Sequence, residues 1–389
     1  MHTRHTEVER ILAAAADIAL DLAAQAESIH STARMPEQIV ARMREAGLFQ
    51  ILQPARFGGR QLDLTTCFEV QRILSHACMS AGWLSGIFGL QAWQLALFDP
   101  RAQRDVWNER PDALISSAFM PSGQIASAGD GFVLSGQWHY SSGSPHSDWI
   151  LLGGLVVEEG KAPDYRAFLL PRADYAPQSN WRTVGMRATE SHSVTVKEAY
   201  VPAYRTFRTA DGFRCVCAGH ALHDDPLYRV PFGQLFALSI ALPAVGALEG
   251  ALAETLAMAA DAPTPASVAR HDPAQLAVTE ALETIHECRA SAAATLAQLS
   301  LLAAEHTAPA LVERARMRFD SARISSKCQA AINALFLTHG SRSVYSSSKL
   351  SQAWLDINAA NLHAGNHAAR FGKQYLDVLR GGDIKDVLL

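Results

Sequence analysis

The stretch Gly136-Gln137-Trp138-His139-Tyr140-Ser141-Ser142-Gly143-Ser144 joins an aromatic, strand-forming run to paired hydroxyls and a glycine. Trp and Tyr supply flat apolar faces, serines supply compact hydrogen-bonding groups, and Gly143 permits a tight turn. This set suits a flat, redox-active ring such as a flavin, with a small hydroxyl reaching its polar edge. Ser141-Ser142-Gly143 also reads as an ordinary strand-end turn. A second group, Cys215, Cys217, His220 and His223, combines the two commonest zinc-ligand types. Its spacing matches no common structural zinc site, and Gly212, Gly219, Asp224, Asp225 and Pro226 mark a polar loop. A substrate-side or interface loop is expected there, and no metal. A third group is His363 and His367 in Leu362-His363-Ala364-Gly365-Asn366-His367. An imidazole titrates near neutral pH, so it suits proton movement or hydrogen bonding at a reacting centre.

The elements that must position these residues fall into four parts. Val8, Ile11, Leu12 and Ala15 recur at helical spacing, Pro36 opens another helical segment ending near Gly47, and Ala81–Phe98 is small and apolar. Residues 1–113 are therefore expected to be a helical domain. From 114 to 206 the runs Phe132-Val133-Leu134, Trp149-Ile150-Leu151-Leu152, Ala167-Phe168-Leu169-Leu170 and Ser193-Val194-Thr195-Val196 alternate with turn residues, which predicts a β domain. An irregular stretch, 207–230, precedes Ala-, Leu- and Glu-rich helices over 231–389.

Composition excludes several function classes. The chain has 389 residues, of which 49% are hydrophobic and 19% charged, with a formal charge of −4, so neither disorder nor an electrostatic grip on nucleic acid is expected. The apolar run Phe232–Ala260 is broken by Pro243, Glu249 and Glu254 and reads as buried helix, so no membrane partner is expected. The six cysteines are dispersed, and Met1–Glu7 begins no signal peptide, which points to reduced thiols and a cytoplasmic location. No Gly-x-Gly-x-x-Gly follows a strand, so a Rossmann-type nicotinamide site is not expected.

The α, β, α order with a C-terminal four-helix bundle resembles the acyl-CoA dehydrogenase superfamily: mainly α, with a central β-barrel or sandwich. Ser116-Ser117-Ala118-Phe119-Met120-Pro121-Ser122-Gly123 resembles its first flavin-facing strand and loop, Trp138–Ser144 the second, and Val184-Gly185-Met186-Arg187-Ala188-Thr189-Glu190-Ser191 the third. Three further segments, Leu52–Gly59, Trp93–Phe98 and Tyr140–Trp149, are most similar to the oxygenase components of two-component, group D flavin-dependent monooxygenases, nearest the branch that hydroxylates seco-steroid phenols. The likeness runs nearly end to end.

The resemblance implies a reduced FAD or FMN delivered by a separate NAD(P)H-dependent flavin reductase, its reaction with O2 to a C4a-hydroperoxide, and hydroxylation or epoxidation of an aromatic small molecule. It also implies a homotetramer. A common-type dehydrogenase needs a carboxylate base, and the position aligned with it through Trp354, Asp356 and Gly365 is Ala364, whose methyl abstracts no proton. Some dehydrogenases place the base on another helix, so a dehydrogenase-like flavoprotein stays the alternative, beside an N- or S-oxygenase of the same fold. By the same resemblance His363 is the catalytic group, with His367 as fallback, and Ser142 approaches flavin N5. Ser141, Phe119, Ser122, Tyr140, Met186 and Arg187 belong to the cofactor surface, Arg187 alternatively to a domain-packing ion pair. Trp93, Trp138 and His139 either line the substrate pocket or pack. Phenol-hydroxylating relatives often carry a histidine just before the tryptophan of the Trp93 segment. Gln91 stands there in this chain, and a carboxamide binds a phenol or an indole N–H without acting as a base. The Arg and Phe-Gly elements that grip FAD in dehydrogenases are not recognisable around Ala266–Ala277.

Overall fold

The computed structural model describes residues 2–260, 273–346 and 348–383, so most of Ala266–Ala277 lies outside the described residues. Six helices lead: α1 (His2–Ala24), α2 (Ala26–Thr32), α3 (Glu37–Glu45), α4 (Leu64–Ala77), α5 (Met79–Leu95) and α6 (Pro100–Trp107). Asp63 caps α4 by accepting the Thr66 N–H at 2.8 Å. Every residue of α5 is buried, as expected of a helix apolar all round. Gly82 and Gly86 let α5 lie against α4, since a Cβ at either would strike Ser75 or Gln71.

Eight strands follow: β1 (Ile115–Ala118), β2 (Gln124–Ala128), β3 (Gly131–Ser141), β4 (Trp149–Val156), β5 (Asp164–Pro171), β6 (Tyr175–Gln178), β7 (His192–Pro202) and β8 (Thr206–Arg208). They form two four-stranded sheets, in the orders β1-β4-β5-β8 and β2-β3-β7-β6. β1 runs parallel to β4, with Ser117 opposite Leu151, and the other pairs are antiparallel. Leu134, Trp138, Ile150, Leu152, Phe168 and Val194 fill the core between the sheets. The register of β3 against β7 shifts between Trp138 and Ser141, and Tyr140 stands at φ 66°. This bulge ends the in-out alternation of the strand: Ser142 faces Trp83 of α5, while Ser141 lies against Ser116 of β1.

Within the stretch read as irregular lie the end of β8, the short helix α7 (Thr209–Phe213) and two 3₁₀ turns. The bundle comprises α8 (Phe232–Ala241), α9 (Pro243–Ala260), α10 (Pro273–Ala304), α11 (Leu311–Thr338), α12 (Lys349–Asn361) and α13 (Ala368–Leu379). Phe232–Ala257 is long and apolar enough to cross a membrane, yet 89% of its most apolar window is buried inside the protein, and Pro243 starts a new helix within it. It is core.

Candidate flavin and substrate cleft

The three segments quoted from the β domain meet at the edge where the sheets face α5, α8 and α12. Trp83 of α5 donates its indole N–H to Ser142 Oγ at 3.1 Å. Ser142 Oγ lies 2.8 Å from Ser191 Oγ, Ser191 Oγ lies 2.6 Å from Thr189 Oγ1, and Thr189 donates to the Met186 carbonyl at 2.8 Å. Each hydroxyl has one proton, so the ends of this chain fix its direction. Thr189 spends its proton on a carbonyl, which can only accept. Ser191 must then donate to Thr189, and Ser142 to Ser191. Ser142 Oγ therefore accepts from Trp83, donates to Ser191, and keeps one lone pair, so toward a further ligand it is an acceptor.

Across from this chain stands His363. Its ring lies 5.7 Å from that of Trp83 and 6.1 Å from that of Phe236, and Phe236 in turn meets Phe119 at 5.6 Å. Burial, reinforced by the Arg318 guanidinium, pulls the imidazole pKa down to about 4. The ring is therefore neutral near pH 7. Its Nδ1 accepts the Gly365 N–H at 3.0 Å, which places the ring proton on Nε2. His363 is thus a hydrogen-bond donor held by the 3₁₀ turn it caps. His367 is exposed and its Nδ1 accepts the Arg370 N–H at 3.2 Å, the work of a cap on α13.

Asp356 ties the third segment to the bundle. Its Oδ1 accepts the Met186 N–H at 2.5 Å, and burial pushes its pKa up to about 6 against the pull of that bond and of Arg187. Met186 and Glu190 adopt φ of 55° and 45°, so the turn they frame is held in a sparsely populated conformation. Arg187 lines a shallow recess with His30, His76, Lys349 and Asp356. On the first segment, Gln91 donates its Nε2 to Ser117 Oγ at 3.1 Å, while its Oε1 has no partner among the described residues.

Family models for the acyl-CoA dehydrogenase N-terminal domain and C-terminal domain match residues 6–110 and 238–368. The chain is 32% identical to the flavin-dependent monooxygenase oxygenase subunit HsaA of Mycobacterium tuberculosis, over 94% of this chain and 93% of that protein. It belongs to the flavin-dependent monooxygenases with the acyl-CoA dehydrogenase fold. It is also 29% identical to the FADH(2)-dependent resorcinol hydroxylase oxygenase component of a Rhizobium species, over 92% and 90% of the two chains. Among solved structures, that of 3-HSA hydroxylase from Rhodococcus sp. RHA1 superposes with a TM-score of 0.93 at 30% identity, covering 98% of this chain and 99% of that one.

For a monooxygenase oxygenase component of this kind, the residues present fit a flavin. Ser142 offers an open acceptor, and the three β-domain segments present large apolar side chains to solvent, Met120 at 63%, Tyr140 at 69% and Val184 at 74% exposure. Such surface is expected where a flat ring is to be covered. Tyr140 also meets Trp181 edge-to-face at 6.2 Å. Ser141 is buried beneath Ser142, 3.4 Å from Ser116 Oγ, and Ser122 is exposed, donating to the Gln137 carbonyl.

Three sequence-based pocket residues lie elsewhere. Trp138 is 0% exposed inside the β sandwich, where its N–H donates to the Gly153 carbonyl at 2.7 Å. The alternation of β3 points it inward before the bulge redirects the chain. His139 consequently faces outward, bonded to Ser193 Oγ at 2.8 Å. Trp93 packs behind Phe232, its N–H donated to the Leu227 carbonyl at 2.8 Å. In the Cys215–His223 loop, His220 pairs with the Tyr228 carbonyl and His223 with Gln103 Oε1. Among the described residues no three His, Cys, Asp or Glu side chains gather as a metal site.

Sequence reasoning missed Trp83, Ser117, Thr189, Ser191 and Phe236 as site residues. Thr189 and Ser191 lay inside a quoted motif, and a hydroxyl every second residue was the available signal. Trp83 and Phe236 carried none, because an aromatic on a wholly apolar helix reads as core.

Proposed function

We propose that the protein takes reduced FAD or FMN from a separate NAD(P)H-dependent reductase and inserts one atom of O2 into an aromatic small molecule of phenol or indole type, bound between α5 and His363. The hydroxyl chain that makes Ser142 an acceptor, set opposite a neutral His363, carries this reading. When bound, the reduced flavin supplies the electrons that activate O2. Ser142 would hold a proton on a flavin nitrogen brought within hydrogen-bond reach, since an acceptor with no proton of its own to give there favours the protonated partner. Phe119, Met120 and Tyr140 cover the ring and exclude water. Met186, held by Asp356, and Arg187 would border the cofactor, where the Arg187 charge would favour an anionic reduced ring. His363 donates from Nε2 to an oxygen of substrate or oxidant. The open Oε1 of Gln91 accepts a phenol O–H or an indole N–H.

The names of relatives support the reductase partner and the aromatic substrate, since they are called oxygenase subunits or components and include a resorcinol hydroxylase and an indole-3-acetate monooxygenase. Exposed Leu276, Leu282 and Leu301 on α10, Leu337 on α11, and Leu376 and Leu379 on α13 support further burial of bundle surface in a homotetramer, and a cytoplasmic location follows from the need for reduced nicotinamide. The test supplies a generic flavin reductase, NADH and 18O2 with a panel of phenols and indoles. Incorporation of one 18O atom into a product is expected. Bleaching of bound oxidised flavin by an acyl-CoA, with no labelled product, would establish the dehydrogenase instead.

A further inference from the structure

The two hydroxyls that orient Ser142 flank a single residue, Glu190. Thr189 and Ser191 bond each other at 2.6 Å, and Ser191 reaches Ser142 at 2.8 Å. Glu190 takes no part in that chain: it is 7% exposed, and its Oε2 accepts the N–H of Met35, in the connection between α2 and α3, at 3.2 Å. The same oxygen pairs with His146 Nε2 at 3.0 Å. His146 belongs to the turn that follows Ser142, where its backbone N–H is donated to the Gly143 carbonyl at 2.9 Å. One carboxyl oxygen therefore joins the helical domain to both segments that carry the hydroxyl chain.

The conformation of Glu190 depends on these bonds. It stands at φ 45°, a left-handed backbone that residues with a Cβ rarely adopt and that persists only where the surroundings impose it. A buried carboxyl likewise stays in place only while it is hydrogen-bonded. The neighbours of Ser191 are held by the backbone, Thr189 through its carbonyl to the Gly143 N–H at 2.8 Å and His192 by its place opposite Ser141 in the sheet. The direction in which Ser191 points between them is set by the turn at Glu190. If Ser191 leaves Ser142, the Ser142 proton loses its acceptor and becomes available to a ligand, which reverses the sense of the hydrogen bond Ser142 offers.

We propose that Glu190 is a positioning residue for oxygen transfer: anchored on Met35 and His146, it keeps Ser191 on Ser142 and so makes Ser142 meet a bound flavin as an acceptor. It acts through Ser191 and not on the flavin. The inference rests on the monooxygenase reading for what Ser142 faces.

The test has one arm without flavin and one with it. In crystals of Glu190→Ala, Ser191 Oγ lies more than about 3.5 Å from Ser142 Oγ, beyond hydrogen-bond reach, whereas Glu190→Gln keeps an acceptor oxygen at the same reach and retains the bond. When the reduced, flavin-loaded proteins are mixed with O2, the near-ultraviolet transient decays about tenfold faster in Glu190→Ala than in wild type, the effect of one lost hydrogen bond. Glu190→Gln restores the slow decay. The double variant Ser142→Ala with Glu190→Ala decays no faster than Ser142→Ala alone, because both changes break one chain, whereas a residue that only stabilised the fold would add its own effect. Should Glu190→Ala fail to fold, His146→Leu, which leaves Met35 as the anchor, decays about threefold faster than wild type. A Ser142–Ser191 bond intact in Glu190→Ala, a decay unchanged in the anchor variants where Ser142→Ala is fast, or additive effects in the double variant overturn the assignment. A wild type without any transient removes the monooxygenase reading instead, and the crystal arm then decides whether Glu190 holds Ser191.

Discussion

The chain before the β3 bulge and the chain that leaves it do opposite things. At Trp138 the strand points into the sandwich, and the one polar atom of the side chain is paired with the Gly153 carbonyl. At the bulge and just past it, Tyr140 lies open to solvent, Ser142 keeps a lone pair that no described residue takes, and the facing helix leaves the Gln91 and Gln94 oxygens without partners among the described residues. The part before the bulge is satisfied within the chain and gives stability. The second is completed by something from outside, and its cost is carried by the packing around it.

Substitutions separate the two parts. Trp138→Ala should lower stability by about 3–5 kcal/mol, as for other large-to-small changes in a core, read by urea unfolding. Trp83→Phe keeps the apolar bulk and removes the N–H given to Ser142, so about 1–2 kcal/mol is expected. Similar losses from the two would erase the distinction. His363→Ala should reduce product formation about a hundredfold or more, with flavin affinity within threefold of wild type by equilibrium dialysis. Full hydroxylation by that variant would remove His363 from the chemistry.

Acid offers a third comparison. In the unfolded chain His363 takes up a proton near pH 6.5, whereas in the fold its pKa is about 4, so the folded state binds fewer protons between these values. Stability must fall as pH drops through that window and be unaffected by this group above it. The stability of wild type relative to His363→Asn should therefore decline by about 1–3 kcal/mol from pH 7 to pH 4, in denaturant titrations at each pH. His223, also held near 4 by burial and by the Arg56 charge, is present in both proteins and cancels. The smallest effect is at Asp356. Asp356→Ala releases the Met186 turn and should weaken flavin binding about fivefold, whereas Asp356→Asn, whose amide oxygen accepts the same N–H, should stay within twofold.

Much of this architecture is legible along the chain because it is local. Turn residues between β-branched runs mark the strands, the Ser116–Gly123, Trp138–Ser144 and Val184–Ser191 segments are contiguous, and His363 sits beside the methyl that replaces a carboxylate. Two kinds of information were not local. The turn of Ser142 away from the alternation that buries Trp138 depends on a bulge visible only as a register shift against β7. The partners Trp83 and Phe236 come from helices far away in sequence, where an aromatic has no mark to distinguish core from cleft. The direction of the hydroxyl chain likewise depends on one carbonyl, that of Met186, at its end.

Under the proposed function Ser142, turned into an acceptor by Trp83, Ser191 and Thr189, would keep a proton on a bound reduced flavin long enough for oxygen transfer. Rapid mixing of the flavin-loaded, reduced protein with O2, followed in the near ultraviolet and at the oxidised-flavin band, tests it directly. A near-ultraviolet transient that persists before oxidised flavin appears, and that decays at least tenfold faster in Ser142→Ala, is the predicted result. Direct appearance of oxidised flavin in the wild type, or an equally long transient in Ser142→Ala, would contradict it.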